Sequence, residues 1–241
     1  MSGKVYSDAE HALADLQDGV SILSGGFGLC GNPENCIAEL ARRRLQGLSI
    51  ISNNCGNSGR GLAVLLQQRQ VAKFTGSYVG GNPDLEAQIL DKSIDVELSP
   101  QGTFVERIRA GGVGLGGFFT PTGVDTVVAE GKEVREIRGR RYVFEEPITA
   151  DFAIIRAEYG DPFGNLVFKG TARNFSPLMA MAGRVTICEV DELVPLGALD
   201  PDQIHLPGIF VQRIFQGADY RDEIEFLTTR PAPPAETERS G

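Results

Sequence analysis

A glycine-rich segment between a short apolar run and a helical pattern carries residues whose types and spacing could do chemistry. Four glycines fall within the seven positions of Gly25–Gly31, and Pro33 follows them. Glycine tolerates positive φ and lets the backbone approach a ligand closely, while proline suits the first turn of a helix. A strand, a glycine turn and a helix N-terminus with free N–H groups together predict a potential anion-binding site.

Two nucleotide-binding motifs do not fit this turn. No Gly-Lys-Ser/Thr follows it, so no lysine could reach a phosphate and no hydroxyl could hold magnesium. The spacing Gly26-x-Gly28-x-x-Gly31 matches a dinucleotide fingerprint, but a proline follows and no acidic residue ends a second strand near Ile51. From this segment alone, the alternative of a tight turn that merely packs a helix on a sheet stays open.

Composition limits the classes of function. The chain of 241 residues has a formal charge of −9, and no Lys/Arg cluster suggests a nucleic-acid surface. The run Arg42–Arg44 on a helix end is interpreted as a solvated face that favours the helix C-terminus. No apolar run could span a bilayer and the first residues do not resemble a signal peptide, so we expect no membrane association and a cytoplasmic location. The four cysteines lack CxxC spacing and only two histidines occur, so we expect neither a metal site nor a histidine-based triad.

Short apolar runs alternate with helical patterns along the chain. The predicted strands are Val20–Leu23, Leu48–Ile51, Phe74–Val79, Val96–Leu98, Asp151–Ala157 and Val185–Val190. The predicted helices are Asp8–Gln17, Pro33–Arg44, Gly61–Gln68, Asp84–Asp91, Pro100–Ala110 and Thr171–Met181. This alternation predicts an α/β fold with an open, largely parallel sheet and helices on both faces. We expect one domain over residues 1–229 and a disordered, Pro/Ala/Glu-rich tail over 230–241.

Two later segments depart from this alternation. Val134–Arg138 and Arg141–Glu145, separated by Gly139-Arg140, predict an inserted β-hairpin. The run Gly111–Gly123 is too glycine-rich to be regular and, with its two phenylalanines, too apolar for a solvated linker. We expect this run to line a site or to dock on a partner, the alternative being a flexible surface loop.

The edge of the predicted sheet is where a ligand is expected, because open parallel sheets bind ligands at the carboxyl ends of their strands. Four loops meet there, namely Gly25–Asn32, Ser52–Gly56, Gly80–Asn82 and Ser99–Thr103. The first two carry glycine or amide groups, which offer hydrogen bonds without bringing charge. The chemistry of this edge is therefore expected to involve neutral donors.

Several blocks of the chain also stand in a distinctive order. They are Asp18-Gly19, Gly25-Gly26-Phe27 with Gly31-x-Pro33, Asn53-Asn54-x-Gly56, Val96–Thr103 continuing to Gly112, Phe118–Gly123, Asp151–Ala153, Gly164–Leu166, Ala172–Phe175 and Ile204–Pro207. As an ordered set over roughly residues 4 to 227, they resemble the A (alpha) subunit of the family I CoA-transferases, the succinyl-CoA:3-oxoacid group. Ser24 departs from the family pattern, which has an apolar residue there. The resemblance implies the three-layer α/β fold of CoA-transferases, an architecture that recurs in sugar-phosphate isomerases.

The resemblance implies a ping-pong transfer of CoA. A glutamate attacks the acyl-CoA thioester, an acyl-enzyme anhydride forms, and the returning CoA gives an enzyme–CoA thioester from which the acceptor acid takes the CoA. In this family the glutamate belongs to the B (beta) subunit, in a Ser-Glu-Asn-Gly-like turn, and no such sequence occurs here. The chain is thus expected to be half of a hetero-oligomer, with acyl-CoA and a 3-oxo acid as substrates and no cofactor.

The resemblance also assigns residues to this chain's half of the site. Gln101 would supply its side-chain amide to the oxyanion hole, since a neutral donor stabilises developing negative charge. From its spacing alone, Gln101 is equally a polar residue at a helix N-terminus after Pro100. Gly25-Gly26-Phe27 would form the wall near the reacting carbonyl. Asn53 and Asn54 would hydrogen-bond the acceptor carboxylate or hold a loop, and both uses stay open.

Two carboxylates near Gln101 have structural explanations. Glu97 alternates with apolar neighbours in a strand, which places it on the opposite face, and Glu106 lies one helical turn from Arg109, where a surface ion pair is expected. Neither is assigned a catalytic role.

Other functions compete with transfer to acetoacetate, the expected reaction. Transfer to 3-oxoadipate would need further groups for a second carboxylate, and an acyl-CoA hydrolase would use water as the acceptor. A non-catalytic ligand-sensing domain has the same general architecture. A regulator should carry a DNA-binding segment, yet no basic helix-turn-helix occurs, and no lysine-bearing phosphate loop suggests an isomerase.

Overall fold

A computed structural model describes residues 3–221 and confirms the predicted alternation of strands and helices. The helices are α1 (Ala9–Ala12), α2 (Glu34–Arg43), α3 (Ala63–Gln67), α4 (Pro83–Leu90), α5 (Gln101–Gly112) and α6 (Ser176–Ala182). The strands are β1 (Ser21–Ser24), β2 (Leu48–Ile51), β3 (Val71–Gly76), β4 (Asp95–Leu98), β5 (Phe118–Thr120), β6 (Val134–Ile137), β7 (Arg140–Glu145), β8 (Ala150–Gly160), β9 (Leu166–Val167), β10 (Gly183–Leu193) and β11 (Arg213–Gln216). The predicted tail, residues 230–241, lies outside the described residues.

The main sheet has eight strands and is almost entirely parallel. Seven strands follow the order β11-β10-β8-β1-β2-β3-β4, and each neighbouring pair in this path is parallel. The short strand β9 pairs antiparallel with β8. The predicted open, largely parallel sheet is confirmed, and the carboxyl ends of its parallel strands share one edge.

Two hydrophobic cores lie on opposite faces of this sheet. Ile22 and Ile154 pack with residues of α1 to α4, whereas the next residues along the same strands, Leu23 and Ile155, pack with α5 and α6. Successive strand side chains point to opposite faces, so apolar residues at consecutive positions require helices on both sides. The predicted three-layer α/β fold is confirmed. None of the helices within residues 3–221 is long and apolar enough to cross a bilayer.

The predicted hairpin is present but has one strand more than expected. Its turn consists of Arg138 and Gly139, with φ of 52° and 76°, so the second strand begins at Arg140. Within Gly111–Gly123, which we predicted to be irregular, α5 continues to its second glycine and Phe118–Thr120 forms β5. Strand β5 pairs antiparallel with β7, giving a three-stranded sheet in the order β5-β7-β6.

The extra strand is stabilised by aromatic packing that the glycine-rich composition concealed. The ring centroids of Phe119 and Phe144 are 5.3 Å apart at an edge-on angle. The guanidinium of Arg135, which belongs to β6 of the same small sheet, lies 4.6 Å from the centroid of the Phe119 ring. These contacts hold a segment in extended form even though its flanking glycines favour turns.

The predicted helix Asp8–Gln17 is much shorter in the structure, where it covers Ala9–Ala12 only. The carbonyls that follow are bound by a side chain instead of by further helical turns, because the Arg43 guanidinium donates to Leu13, Ala14 and Leu16. The interpretation of the arginine run as a solvated helix face is therefore wrong for Arg43. Its neighbour Arg42 is exposed and pairs with Glu39 and Glu10.

The predicted helix Thr171–Met181 is divided in two at Asn174. A 3-10 turn spans Gly170–Arg173 and α6 begins at Ser176. Asn174 has φ 19° and ψ −117°, which no helix accommodates, and Pro177 supplies no N–H to continue helical bonding from before it. The strands β9 and β11 were not predicted either. Both are short, and neither shows clear alternation.

Candidate active site

The glycine turn after β1 is enforced by sterics at two positions. Gly26 has φ 113°, and a Cβ added there would collide with Oδ1 of Asn32. Gly25 has an ordinary φ, but a Cβ there would lie 2.5 Å from Oγ of Ser176 at the start of α6. The predicted tight turning is confirmed, and the close contacts at these glycines are made by side chains of the protein itself. A close approach to a ligand stays a prediction.

Three backbone donors of the turn, those of Gly25, Gly26 and Phe27, are already used within the chain. The N–H of Gly25 donates to Ile154 O at 3.0 Å and that of Phe27 to Cys30 O at 3.1 Å. The N–H of Gly26 donates to Oδ1 of Asn174 at 3.1 Å. An N–H group that is already bonded cannot also cradle an anion, so these three groups are not available to a ligand. These three residues are therefore better suited to shape a wall than to bind charge.

Asn174 is a site-shaping residue that sequence reasoning did not single out. Besides accepting from the turn, its Nδ2 donates to Cys30 O at 3.0 Å, so one side chain bridges both arms of the glycine segment. The unusual backbone conformation of Asn174, which interrupts the predicted helix, is the local feature that accompanies this role. The block Ala172-Arg173-Asn174-Phe175 was recognised, but nothing in it indicated the long-range contact.

The N-terminus of α2, where we predicted a potential anion-binding site, is occupied by a carboxylate of the chain. Glu189 in β10 is fully buried, and its two oxygens accept from Asn35 N at 3.2 Å and Cys36 N at 2.8 Å. Burial raises the pKa of Glu189 to about 7, although the two N–H donors oppose that rise. The group that these two N–H donors bind is therefore internal, so they are not available to an external anion.

The N-terminus of α5 is open by contrast. Gln101 is the first helical residue and is exposed, and Pro100 before it provides no side-chain cap. Its Oε1 accepts from Nδ2 of Asn53 at 3.3 Å. No atom within residues 3–221 accepts from its Nε2, nor from the backbone N–H of Gln101 or Gly102. An uncharged amide donor and a free helix start therefore face the edge of the sheet together.

The structure brings Asn53 to Gln101 and buries both predicted asparagines. Asn53 is 4% exposed and Asn54 is 8% exposed. Besides contacting Gln101, Nδ2 of Asn53 donates to Oγ of Ser77 at 3.1 Å. Ser77 follows β3 and was not among the predicted site residues, although it lies beside the predicted loop Gly80–Asn82. The use of the asparagines as direct substrate contacts stays a prediction.

Three aromatic rings connect the glycine turn to α5. Phe27 is 47% exposed, and its ring stacks on Phe175 with centroids 6.3 Å apart and planes 10° from parallel. Phe175 in turn packs against Phe104, which lies in the first turn of α5, at 5.9 Å. The row of rings fixes the turn relative to the helix that begins with Gln101. An apolar wall and an amide donor thus occupy the same edge.

The two carboxylates near Gln101 are engaged in ion pairs. Glu97 pairs with Lys73 at 3.0 Å and Arg107 at 2.7 Å; burial alone would raise its pKa, but these partners bring the pKa below its ordinary value. Glu106 pairs with Arg109 at 2.6 Å, as predicted, and hydrogen bonds from that guanidinium lower the pKa of Glu106. Neither carboxylate is available as a nucleophile at the edge.

Three of the four cysteines cannot serve as nucleophiles. Cys36, Cys55 and Cys188 are buried free thiols, and burial raises the pKa of each one. Because the thiolate is the reactive and metal-binding form, these thiols are inert. Among the residues that the structure describes, no group of three or more His, Cys, Asp or Glu side chains is placed to hold a metal ion.

The chain is similar to known proteins over most of its length. The family model "Coenzyme A transferase" matches residues 6–217. The A (alpha) subunit of the succinyl-CoA:3-ketoacid coenzyme A transferase of Helicobacter pylori strain J99 is 50% identical over 229 residues, covering 95% of this chain and 99% of that protein. The mitochondrial succinyl-CoA:3-ketoacid coenzyme A transferase 2 of Homo sapiens is 43% identical over 246 residues, covering 95% of this chain and 48% of that protein.

The fold is also found in solved structures. The apoenzyme of an acyl-CoA transferase (YdiF) from Escherichia coli O157:H7 superposes with a TM-score of 0.83 at 21% sequence identity. The superposition covers 95% of this chain and 52% of the other, so this chain spans about half the length of that transferase. At this identity the similarity concerns the fold alone.

Proposed function

Since this chain belongs to the coenzyme A transferase family, we propose that it is the A (alpha) subunit of a two-subunit enzyme that moves CoA from succinyl-CoA to a 3-oxo acid. The observation that carries this proposal is the likeness to the Helicobacter pylori protein, which is 50% identical over 99% of its length. The human relative, of which this chain covers 48%, supports a division of one enzyme between two chains. We propose acetoacetate, a short 3-oxo acid, as the acceptor.

The nucleophile is proposed to be a glutamate of the partner B subunit. Its carboxylate attacks the thioester carbonyl of succinyl-CoA and the C–S bond breaks. CoA leaves as a thiolate, and the succinyl and glutamyl groups remain joined as a mixed anhydride. The thiolate then attacks the glutamyl carbonyl and releases succinate, which leaves CoA on the enzyme as a thioester. The same steps in reverse pass CoA to the acceptor carboxylate. Each attack places negative charge on a carbonyl oxygen.

Stabilising that oxygen is the part that we assign to Gln101. Its Nε2 is unused within residues 3–221 and lies at the free start of α5. A neutral amide suits this position because it stabilises charge that develops in the transition state without holding the ground-state carboxylate tightly. The wall of Gly25, Gly26 and the half-exposed Phe27 is proposed to contact the acyl group.

Purification of this chain alone, and together with the product of the adjacent reading frame, tests the proposal. The pair is expected to transfer CoA from succinyl-CoA to acetoacetate, and the single chain to be inactive. Transfer by this chain alone would contradict the two-subunit proposal. A higher kcat/KM with 3-oxoadipate would change the acceptor, and CoA release without any acceptor would indicate a hydrolase. No metal or redox cofactor is proposed, so dialysis against a chelator should leave the rate unchanged.

A further inference from the structure

We propose that Asn53 and Ser77 are positioning residues that fix the carboxamide of Gln101, so that its nitrogen and not its oxygen meets the reacting carbonyl. This inference rests on the function proposed above, and it extends the site by one residue that the resemblance did not include. It also assigns Asn53 a use other than direct contact with the acceptor carboxylate.

A glutamine amide can present either of two opposite groups to a substrate. Rotation by 180° about its last side-chain torsion exchanges the NH2 donor with the oxygen acceptor, and this torsion has a broad, roughly two-fold preference. An exposed glutamine at a helix start would therefore offer an oxygen to the developing oxyanion in part of its conformations. Such an oxygen would repel the charge that Gln101 is proposed to stabilise.

Asn53 removes this ambiguity. Its Nδ2 can only donate, and it lies 3.3 Å from Oε1 of Gln101. A flipped Gln101 would bring two NH2 groups together, which leaves both donors unsatisfied. Because Asn53 is 4% exposed, little water is available to replace the lost bond. The oxygen of Gln101 is thus held inward and its nitrogen is left for the substrate.

Ser77 fixes the orientation of Asn53 in turn. Oγ of Ser77 accepts from Nδ2 of Asn53 at 3.1 Å, and its one hydrogen has two acceptors in reach, Asn53 O at 3.3 Å and Oε1 of Gln101 at 3.5 Å. The backbone N–H of Ser77 also donates to Asn53 O at 3.2 Å. If the side-chain amide of Asn53 were rotated by 180°, its Nδ2 would lose both hydrogen bonds that it donates, one to Oγ of Ser77 and one to Oε1 of Gln101. Two partners therefore determine the same amide orientation.

The sheet itself brings these three residues together. Asn53 follows β2, Ser77 follows β3 and Gln101 follows β4, and these strands are parallel neighbours. The ladder continues past the strand ends, since Ser52 N donates to Thr75 O at 3.1 Å and Ser99 N donates to Gly76 O at 2.9 Å. The positioning residues thus rest on rigid elements, which is what precise orientation of a catalytic donor requires.

A double-mutant cycle in the two-subunit complex tests the proposal. Asn53→Ala is expected to lower kcat about ten- to a hundredfold, less than loss of the donor itself, with KM nearly unchanged. In a Gln101→Ala background the same substitution should have no further effect, because nothing remains to be oriented. If the two losses multiply, or if Asn53→Ala raises only the KM of the acceptor, Asn53 acts on the substrate directly and the proposal is wrong.

Variants of nearly the same shape guard against loss of folding. Asn53→Asp replaces the donor with an acceptor, which should draw in the nitrogen of Gln101 and lower kcat about as much as Gln101→Ala. Ser77→Ala should lower kcat several-fold, and Ser77→Thr, which keeps the hydroxyl, should restore it. Full activity of both Asn53→Asp and Ser77→Ala would overturn the proposal. Since the wild-type complex is assayed in parallel, its failure to transfer CoA would instead reject the proposed function.

Discussion

The helices α2 and α5 both begin at the carboxyl edge of the parallel sheet, and their first turns are completed in opposite ways. The N–H groups of Asn35 and Cys36 in α2 bind the buried carboxylate of Glu189. The backbone N–H groups of Gln101 and Gly102 at the start of α5 have no acceptor within residues 3–221, and the exposed side chain of Gln101 lies beside them. One helix start is therefore filled by the protein itself, and the other is left for a ligand.

This difference separates a structural use of the helix dipole from a catalytic one. A glycine turn before a helix suggests an anion site wherever it occurs, and the turn before α2 has that form. The N–H groups of Gly25, Gly26 and Phe27 are bonded within the chain and the start of α2 is closed, whereas the less conspicuous Gln101 and Gly102 carry free donors. The chemistry depends on which donors remain unused and not on how many glycines precede them.

The largest expected effect is on catalysis at the open helix start. Gln101→Ala should lower kcat about a hundredfold to a thousandfold, because it removes a donor to the oxyanion. The unfolding midpoint should stay close to that of the wild type, since the side chain is exposed. Steady-state assays of the two-subunit complex with a thermal melt measure both quantities. Full activity in a normally assembled complex would remove Gln101 from the oxyanion hole.

The next largest effect is on folding at the closed helix start. Glu189→Ala should lower the free energy of unfolding by about 3 kcal/mol, because it leaves two N–H donors of α2 buried without an acceptor. Denaturant unfolding of the purified chain measures this loss. A variant as stable as the wild type would show that the carboxylate does not complete the helix, and the contrast between the two helix starts would then fail.

The ionisation of Glu189 gives a smaller and pH-dependent effect. Burial raises its pKa from the ordinary 4.5 to about 7, so the folded protein binds this proton more tightly than the unfolded chain. The stability that this proton contributes is complete below the ordinary pKa and is lost as the pH rises through about 7. Between pH 5 and pH 8 the loss is on the order of 2 kcal/mol.

Glu189→Gln isolates this contribution from that of the other carboxyls. An amide of the same shape does not titrate, so the wild type should lose stability relative to the variant as the pH rises from 5 to 8. Denaturant unfolding of both proteins at each pH provides the comparison, and any constant cost of the amide cancels. A stability difference that does not change with pH would mean that Glu189 is ionised throughout.

Much of the open helix start could be predicted from the sequence, because its signals are local. Val96–Leu98 reads as a strand, Pro100 fits before a helix, and Gln101 follows at once. The rule that ligands bind at strand ends then places Gln101 at the correct edge. Only the resemblance to CoA-transferases distinguished it from an ordinary helix-start residue.

The closed helix start could not be predicted, because its parts are distant in the sequence. Glu189 lies 153 positions from Cys36. Its only local signal is a carboxylate within the largely apolar run Val185–Val190, and no periodicity indicates which helix that carboxylate will meet. The same limit applies to Asn174, whose contact with Gly26 spans 148 positions. Long-range polar contacts depend on tertiary packing, whereas alternation along a strand depends on near neighbours.

The smallest expected effect is the most selective test of the open helix start. Gly102, the second residue of α5, is exposed, and a Cβ added there meets no atom within 4 Å. Gly102→Ala should therefore raise the free energy of unfolding by about 0.5–1 kcal/mol, since alanine is the better helix former. If the reacting carbonyl approaches this turn, the added methyl group should also lower kcat/KM several-fold.

Asn35→Ala is the matched control, because Asn35 is the second residue of α2. Its side chain accepts from Ala218 N at 2.8 Å and donates to Ala218 O at 2.9 Å, so alanine should lower stability by about 1 kcal/mol. It should leave kcat/KM unchanged, because that helix start is already filled. Thermal melts should therefore show a gain in stability for Gly102→Ala and a loss for Asn35→Ala. Steady-state assays should show a lower kcat/KM for Gly102→Ala only. Unchanged activity in Gly102→Ala would mean that the substrate does not reach the free donors of α5, whatever Gln101 contributes from its side chain.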